Sequence, residues 1–162
     1  MTTIQPGQAL PDLEIKLIVD GQIESRQSAT LFAQRKTVLF AVPGAFTPTC
    51  SNKHLPGYVK HFADFRQRGV DVVCAAVNDA YVMQAWARDQ QVPPGMIILA
   101  DGNGSFTRAL GLELDGAAYG MGLRSRRFAL YAEDGVVRQL HVEAPGEFRV
   151  SSAEAMLAAL DG

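Results

Sequence analysis

The chain has 162 residues, 48% of them apolar, with 15 Lys and Arg against 17 Asp and Glu. That length fits one α/β-sized domain over residues 1–162 with a sizeable core. The near balance of charge speaks against nucleic acid, which needs clustered Lys and Arg, and apolar runs of five or six residues are far short of a membrane span.

The start, MTTIQPGQALPDL, has neither a basic region nor an apolar one, so a secretory signal is not expected. Two cysteines, Cys50 and Cys74, do not form CxxC. With three scattered histidines they make no zinc set. Unpaired thiols fit a reducing, cytoplasmic setting.

In chain order, LEIKLIV (13–19) alternates as a strand, and Asp20-Gly21 turns the chain into a second arm over 22–26. Ser28 suits the N-cap of a short helix over ATLFAQ. TVLFAV (37–42) is continuously apolar and β-branched, as in a strand buried on both faces. Leu55, Tyr58, Val59, Phe62 and Phe65 then recur at helical spacing, predicting one helix over 51–67 that stops at Gly69. VDVVCAAV (70–77) is a second buried strand, and Asn78-Asp79 caps the helix AYVMQAWARDQ. MIILA (96–100) is a third strand, and DGNG a turn into a short helix ending at Leu110. DGAAYGMG (115–122) reads as a flexible loop. RRFALYA (126–132) and VVRQLHV (136–142) flank Glu133-Asp134-Gly135 as a hairpin, and Ser151-Ser152 opens a last helix. Strands alternating with helices, then a hairpin and a helix, predict an α/β sandwich with a mixed central sheet flanked by helices.

Between the first buried strand and the long helix lies AVPGAFTPTC (41–50). Thr47 suits an N-cap and Pro48 the first helical position, where its missing N–H costs nothing. Cys50 then sits in the first turn of the helix, at the C-terminal end of a buried strand, where α/β sheets hold their sites. Free amides and the positive end of the helix favour a thiolate there, and the thiolate is the nucleophile. A free cysteine is also a good small core residue, and position alone leaves the two readings open. Position alone also does not choose between Arg126 and Arg127, which an extended strand points to opposite sides. His54 lies one helical turn beyond Cys50. Trp86 reads as packing.

PGAFTPTCS (43–51) resembles the active-site signature of the peroxiredoxins, and KHLPGYV (53–59) is similar to the type II, or type five, subgroup. The likeness continues through VNDAYVMQAWA, LADG, LGLELD, GLRSRRFAL and GEFRVSSAE. It implies a thioredoxin-like fold and a thiol-dependent peroxidase acting on hydrogen peroxide or alkyl hydroperoxides. It implies no metal, haem, flavin or nicotinamide cofactor. By the same resemblance Cys50 is the peroxidatic cysteine, and Thr47 is the hydroxyl beside thiolate and peroxide. Pro43 shields the pocket, and Arg127 is the distal arginine. The amides of Gly44 and Cys50 are expected to add donors, with His54 orienting Arg127. Arg124 and Arg126 are then left as solvated surface charge.

A sulfenic acid must be resolved by a thiol. Relatives of the type five group carry a resolving cysteine near the C-terminus, where this chain reads FRVSSAE. Cys74, inside an apolar strand, is the only internal candidate and reads better as a buried structural thiol. The expected reductant is external: glutathione with glutaredoxin first, thioredoxin second. A homodimer with loops near Phe46 and Tyr81 at its contact is implied. Three rival readings stand beside the peroxidase. They are a thiol–disulfide oxidoreductase, a cysteine hydrolase with His54 as base, and a peroxide-sensing or chaperone-like binding protein.

Overall fold

The computed structural model describes residues 2–162. The first hairpin forms as expected: β1 (Glu14–Val19) pairs antiparallel with β2 (Gln22–Gln27). Asp20 and Gly21 both take positive φ, 49° and 83°, the geometry that matches strand twist in a two-residue turn. The apolar runs become β3 (Lys36–Ala41), β4 (Val70–Ala76) and β5 (Ile97–Ala100), parallel to one another at the centre of the sheet. After them come the short pair β6 (Glu113–Asp115) and β7 (Leu123–Ser125), then the hairpin β8 (Phe128–Glu133) and β9 (Val136–Val142). The seven-stranded sheet runs β2-β1-β5-β4-β3-β8-β9, and β6-β7 stands apart.

Side chains alternate across the central strands, so each strand feeds two cores. Val38, Phe40, Val72 and Cys74 face a layer shared with Cys50, Tyr58, Phe65, Met83 and Trp86. Leu39, Val73 and Leu99 face the other, with Phe32, Phe106 and Leu110. The helices that close the two faces are α1 (Ser28–Phe32), α2 (Leu55–Lys60), α3 (Phe62–Gln67), α4 (Ala80–Asp89), α5 (Ser105–Leu110) and α6 (Ala153–Asp161). No helix among the described residues is long and apolar enough to cross a membrane.

Four expectations are corrected. Ser28 does not cap α1, whose N-cap is Gln27. The buried Ser28 hydroxyl instead accepts from the Leu13 amide and donates to the Pro11 carbonyl, and Asp12 receives the Ala29 amide. The helix over 51–67 is not continuous. Cys50–His54 is a π turn, α2 follows it, and His61 breaks the path before α3. Pro56 supplies the reason: it has no N–H to give and its ring would press on the carbonyl one turn back. A wider turn, closed by the Leu55 amide on the Cys50 carbonyl, makes room for it. Residues 115–122 are not a loose loop. Gly116 and Gly122 are bonded at 2.7 Å and close the β6–β7 hairpin over one 3₁₀ turn. Finally, β8 begins at Phe128, so Arg126 and Arg127 precede the strand and strict alternation does not govern them.

The caps of α4 and α6 are as expected. Asp79 accepts from the Val82 amide at 2.9 Å and Ser152 from that of Ala155 at 3.1 Å. Asp79→Ala is expected to cost about 1 kcal/mol of unfolding free energy, read as a lower urea midpoint at unchanged slope.

Candidate active site

The site is built where β3 ends. The chain leaves the sheet at Val42, whose amide bonds the Ala75 carbonyl at 3.0 Å, and turns through Pro43–Phe46. The turn is held from outside: the Asn78 side chain accepts from the Ala45 amide at 2.9 Å. At Gly44 the turn passes close to its neighbours. A Cβ there would lie 3.3 Å from Arg124 Nη1 and 3.4 Å from both Met121 and Thr47 side-chain carbons. The sequence reading of Arg124 as solvated surface charge is corrected. It donates to the Val77 carbonyl at 3.1 Å and to that of Met121 at 2.9 Å, tying the β6–β7 hairpin to this turn.

Thr47 stands where an N-cap belongs, with its carbonyl taking the Ser51 amide at 2.9 Å. Its hydroxyl does not cap the helix. It donates to the Gly44 carbonyl at 2.7 Å, leaving the oxygen lone pairs to accept from a third group. The amides of Gly44 and Cys50 donate to no protein acceptor among the described residues.

Cys50 is fully buried at the first residue of the π turn. Arg127 reaches it from the start of β8: Nη2 donates to Sγ at 3.1 Å. The other terminal nitrogen, Nη1, donates to His54 Nδ1 at 2.8 Å. So Arg127, and not Arg126, meets the thiol. Arg126 is on the wall of the adjoining cavity of about 400 Å³, with Pro43, Thr49, Lys53, Arg127 and Phe148 among its other neighbours.

The protonation of His54 follows from its partners. Its Nε2 lies 3.0 Å from the Ser151 carbonyl, which only accepts. Nε2 therefore carries the proton and Nδ1 offers its lone pair to Arg127. Burial lowers the histidine's pKa to about 3, aided by the guanidinium and opposed by the Ser151 bond and Glu143. Both ring nitrogens are engaged, so no base is available to take a proton from Cys50, and the hydrolase reading has no geometry behind it. The imidazole packs 4.9 Å from Phe40 and 4.9 Å from Phe148, whose ring lies 5.9 Å from the guanidinium carbon.

Two residues escaped the sequence reading. The Ser151 carbonyl accepts from His54 and also from the Tyr58 hydroxyl at 2.8 Å. Glu143 is 4% exposed and holds residues 149–151 through their amides. Burial works against its charge, yet the Ser151 hydroxyl and those amides hold the carboxyl below the usual range. A lone Glu after a strand carries no local signal of such a role. Trp86 is packing, as expected, and also donates to Ser51 Oγ at 3.0 Å, next to the thiol.

Cys74 lies mid-strand in β4, opposite Phe40 and Ile98, fully buried in the same core layer as Cys50. Burial raises its thiol pKa well above the ordinary value, and Cys50 adds to this while Arg127 opposes it. Both cysteines are free.

A helix-flanked mixed sheet with a thiol at a helix start, gripped by an arginine, defines a thiol-redox protein of the thioredoxin-like fold. The family model described as Redoxin matches residues 5–157. Peroxiredoxin-2E, chloroplastic, of Arabidopsis thaliana is 48% identical over 98% of this chain and 70% of its own length. Peroxiredoxin-2B of the same plant is 44% identical over 99% of this chain and 100% of its own. Among solved structures, reduced Prx3 from Vibrio vulnificus in complex with H2O2 superposes with a TM-score of 0.92. It is 48% identical and covers 98% of this chain and 99% of its own. The chain belongs to the redoxin family and, within it, to the peroxiredoxins of type II.

The neutral histidine sets a pH response. Because the folded pKa lies below the unfolded value of 6.5, the unfolded state binds the extra proton between the two. Stability is therefore expected to hold above pH 6.5 and to fall as the pH drops toward 3. The depressed Glu143 carboxyl acts in the same direction in acid. Nitrogen-15 spectra at pH 5 should show His54 still neutral with its proton on Nε2, and a protonated His54 there would contradict the geometry.

Proposed function

We infer that the chain reduces hydrogen peroxide and alkyl hydroperoxides with Cys50 as the peroxidatic thiol. The observation that carries this is the Arg127 Nη2 bond to Cys50 Sγ at 3.1 Å. A permanent cation beside the sulfur brings fixed donors to the oxygen on which charge grows. A peroxide entering past Pro43 donates its O–H to Thr47 Oγ1, whose own proton is spent on Gly44. The thiolate attacks that oxygen. The S–O bond forms, the O–O bond breaks with both electrons going to the distal oxygen, and that oxygen takes one proton and leaves as water or alcohol. Arg127 and the free amides of Gly44 and Cys50 stabilise the leaving charge. The relative from Vibrio vulnificus, solved with H2O2, supports the substrate class.

The sulfenic acid is returned by an external thiol. A glutathione thiolate attacks the Cys50 sulfur, a disulfide forms and water leaves; a glutaredoxin thiolate then takes the glutathione. Two observations support this over Cys74. Cys74 is held mid-strand between β3 and β5 with its pKa raised, and the cavity lined by Pro43 and Arg127 presents Lys53 and Arg126 to the carboxylates of glutathione. Thioredoxin is the second choice. The reaction belongs in a reducing compartment, the cytoplasm first. Phe46 and Tyr81, 53% and 77% exposed, are the proposed centre of a homodimer contact.

Cys50→Ser is expected to abolish peroxide turnover, and Arg127→Ala to slow Cys50 oxidation by roughly a hundredfold or more, both measured by stopped flow. Cys74→Ser is expected to keep turnover with glutathione and glutaredoxin; loss of turnover with an intact first oxidation would place Cys74 in the cycle. Lys53→Glu should raise the KM for glutathione severalfold, an effect that shrinks with added salt.

A further inference from the structure

Two carboxylates are buried among the described residues, Asp101 and Glu143. Asp101 caps α5, accepting the Phe106 and Thr107 amides. Glu143 caps nothing. Removing a carboxylate from water is costly unless it is hydrogen-bonded, and here four donors reach it. The Arg149 amide lies 2.9 Å from Oε1 and 2.8 Å from Oε2. Oε2 also receives the amides of Val150 at 2.9 Å and Ser151 at 2.8 Å, and the Ser151 hydroxyl at 2.6 Å. Three consecutive amides and a hydroxyl thus curl around one charge.

The curl has a direction. It turns the Ser151 carbonyl inward, where it receives the His54 Nε2 proton at 3.0 Å and the Tyr58 hydroxyl at 2.8 Å. From the other side, the Glu143 amide donates to the Arg127 carbonyl at 2.9 Å. The residue therefore meets Arg127 twice, once through the backbone and once through Ser151 and His54. Phe148, in the same clamped stretch, covers the imidazole and the guanidinium.

We propose that Glu143 is a positioning residue for peroxide cleavage: its carboxylate fixes the Ser151 carbonyl, which holds the proton of His54 on Nε2 and keeps Nδ1 open to Arg127. If the clamp loosens, the imidazole loses the acceptor that sets its tautomer. A proton on Nδ1 then faces the guanidinium donor to donor, and Arg127 is driven from the sulfur. The role presupposes Cys50 as the reacting thiol.

The test is Glu143→Gln in the full chain, which places an amide NH2 among amide donors. Single-turnover oxidation by hydrogen peroxide is followed through Trp86, the only tryptophan and bonded to Ser51 beside the thiol. The oxidation rate is expected to fall roughly tenfold, and nitrogen-15 spectra should show His54 as a mixture of tautomers. In a His54→Ala background the same substitution should slow oxidation no further, because the route through the imidazole is gone. A lowered melting temperature with an unchanged oxidation rate and a single Nε2–H tautomer overturns the proposal, as does an equal loss in the His54→Ala background. Should Glu143→Gln fail to fold, Glu143→Asp, one methylene shorter, is read by the same criteria. A wild-type chain that peroxide does not oxidise at Cys50 refutes the peroxidase reading instead, and the His54 tautomer then decides the clamp alone.

Discussion

One guanidinium organises this protein. Arg127 donates to Cys50 with one nitrogen and to His54 with the other, so a cation, a thiol and a neutral ring are joined through one side chain. Arg127 is half-buried, and a cation drawn partly out of water needs partners for its donors. The sulfur accepts one donor, and the histidine supplies a lone pair without adding a second positive charge. That histidine must stay neutral, and burial beside a cation keeps it so. The arrangement excludes a charged imidazole as firmly as it requires a charged arginine.

The surroundings follow from keeping this set fixed. His54 needs an acceptor for its second nitrogen, and the turn before α6 supplies it. That turn delivers Ser151 because Glu143, at the end of β9, gathers its amides. Phe40 stacks on Tyr58 at 3.8 Å and borders His54, so the central sheet itself forms the floor of the network. Three separated parts of the chain, the helix start, the β8 start and the C-terminal turn, meet only because β3 lies between β4 and β8 in the sheet.

The π turn at Cys50–His54 links this chemistry to an ordinary proline. Pro56 cannot continue an α-helix without losing a bond and crowding the carbonyl behind it. The extra residue in the turn absorbs that conflict and rotates Cys50 and His54 relative to α2. π turns are rare and frequently mark functional sites. The thiol sits at the first residue of that turn, and Trp86 fastens the neighbouring Ser51 to α4.

Local rules determined much of this protein from the sequence. The buried strands, the two Asp-Gly turns and the Asp79 cap are set by neighbours a few residues apart, and so were readable. Residues 41–50 announced a thiol at a helix start, and the peroxiredoxin resemblance selected Arg127 from three arginines. What the tertiary structure alone decided concerns groups distant in the chain. Arg124 looked like surface charge because nothing nearby in sequence shows the Val77 and Met121 carbonyls it would meet. Ser28 looked like a cap because the backbone that claims its hydroxyl comes fifteen residues earlier, at Leu13. The tautomer of His54 depends on a carbonyl at position 151, and Glu143 matters only through where that carbonyl points. A hydrogen bond needs its two atoms within about 3 Å, and for partners so far apart in sequence only the packed sheet brings them there.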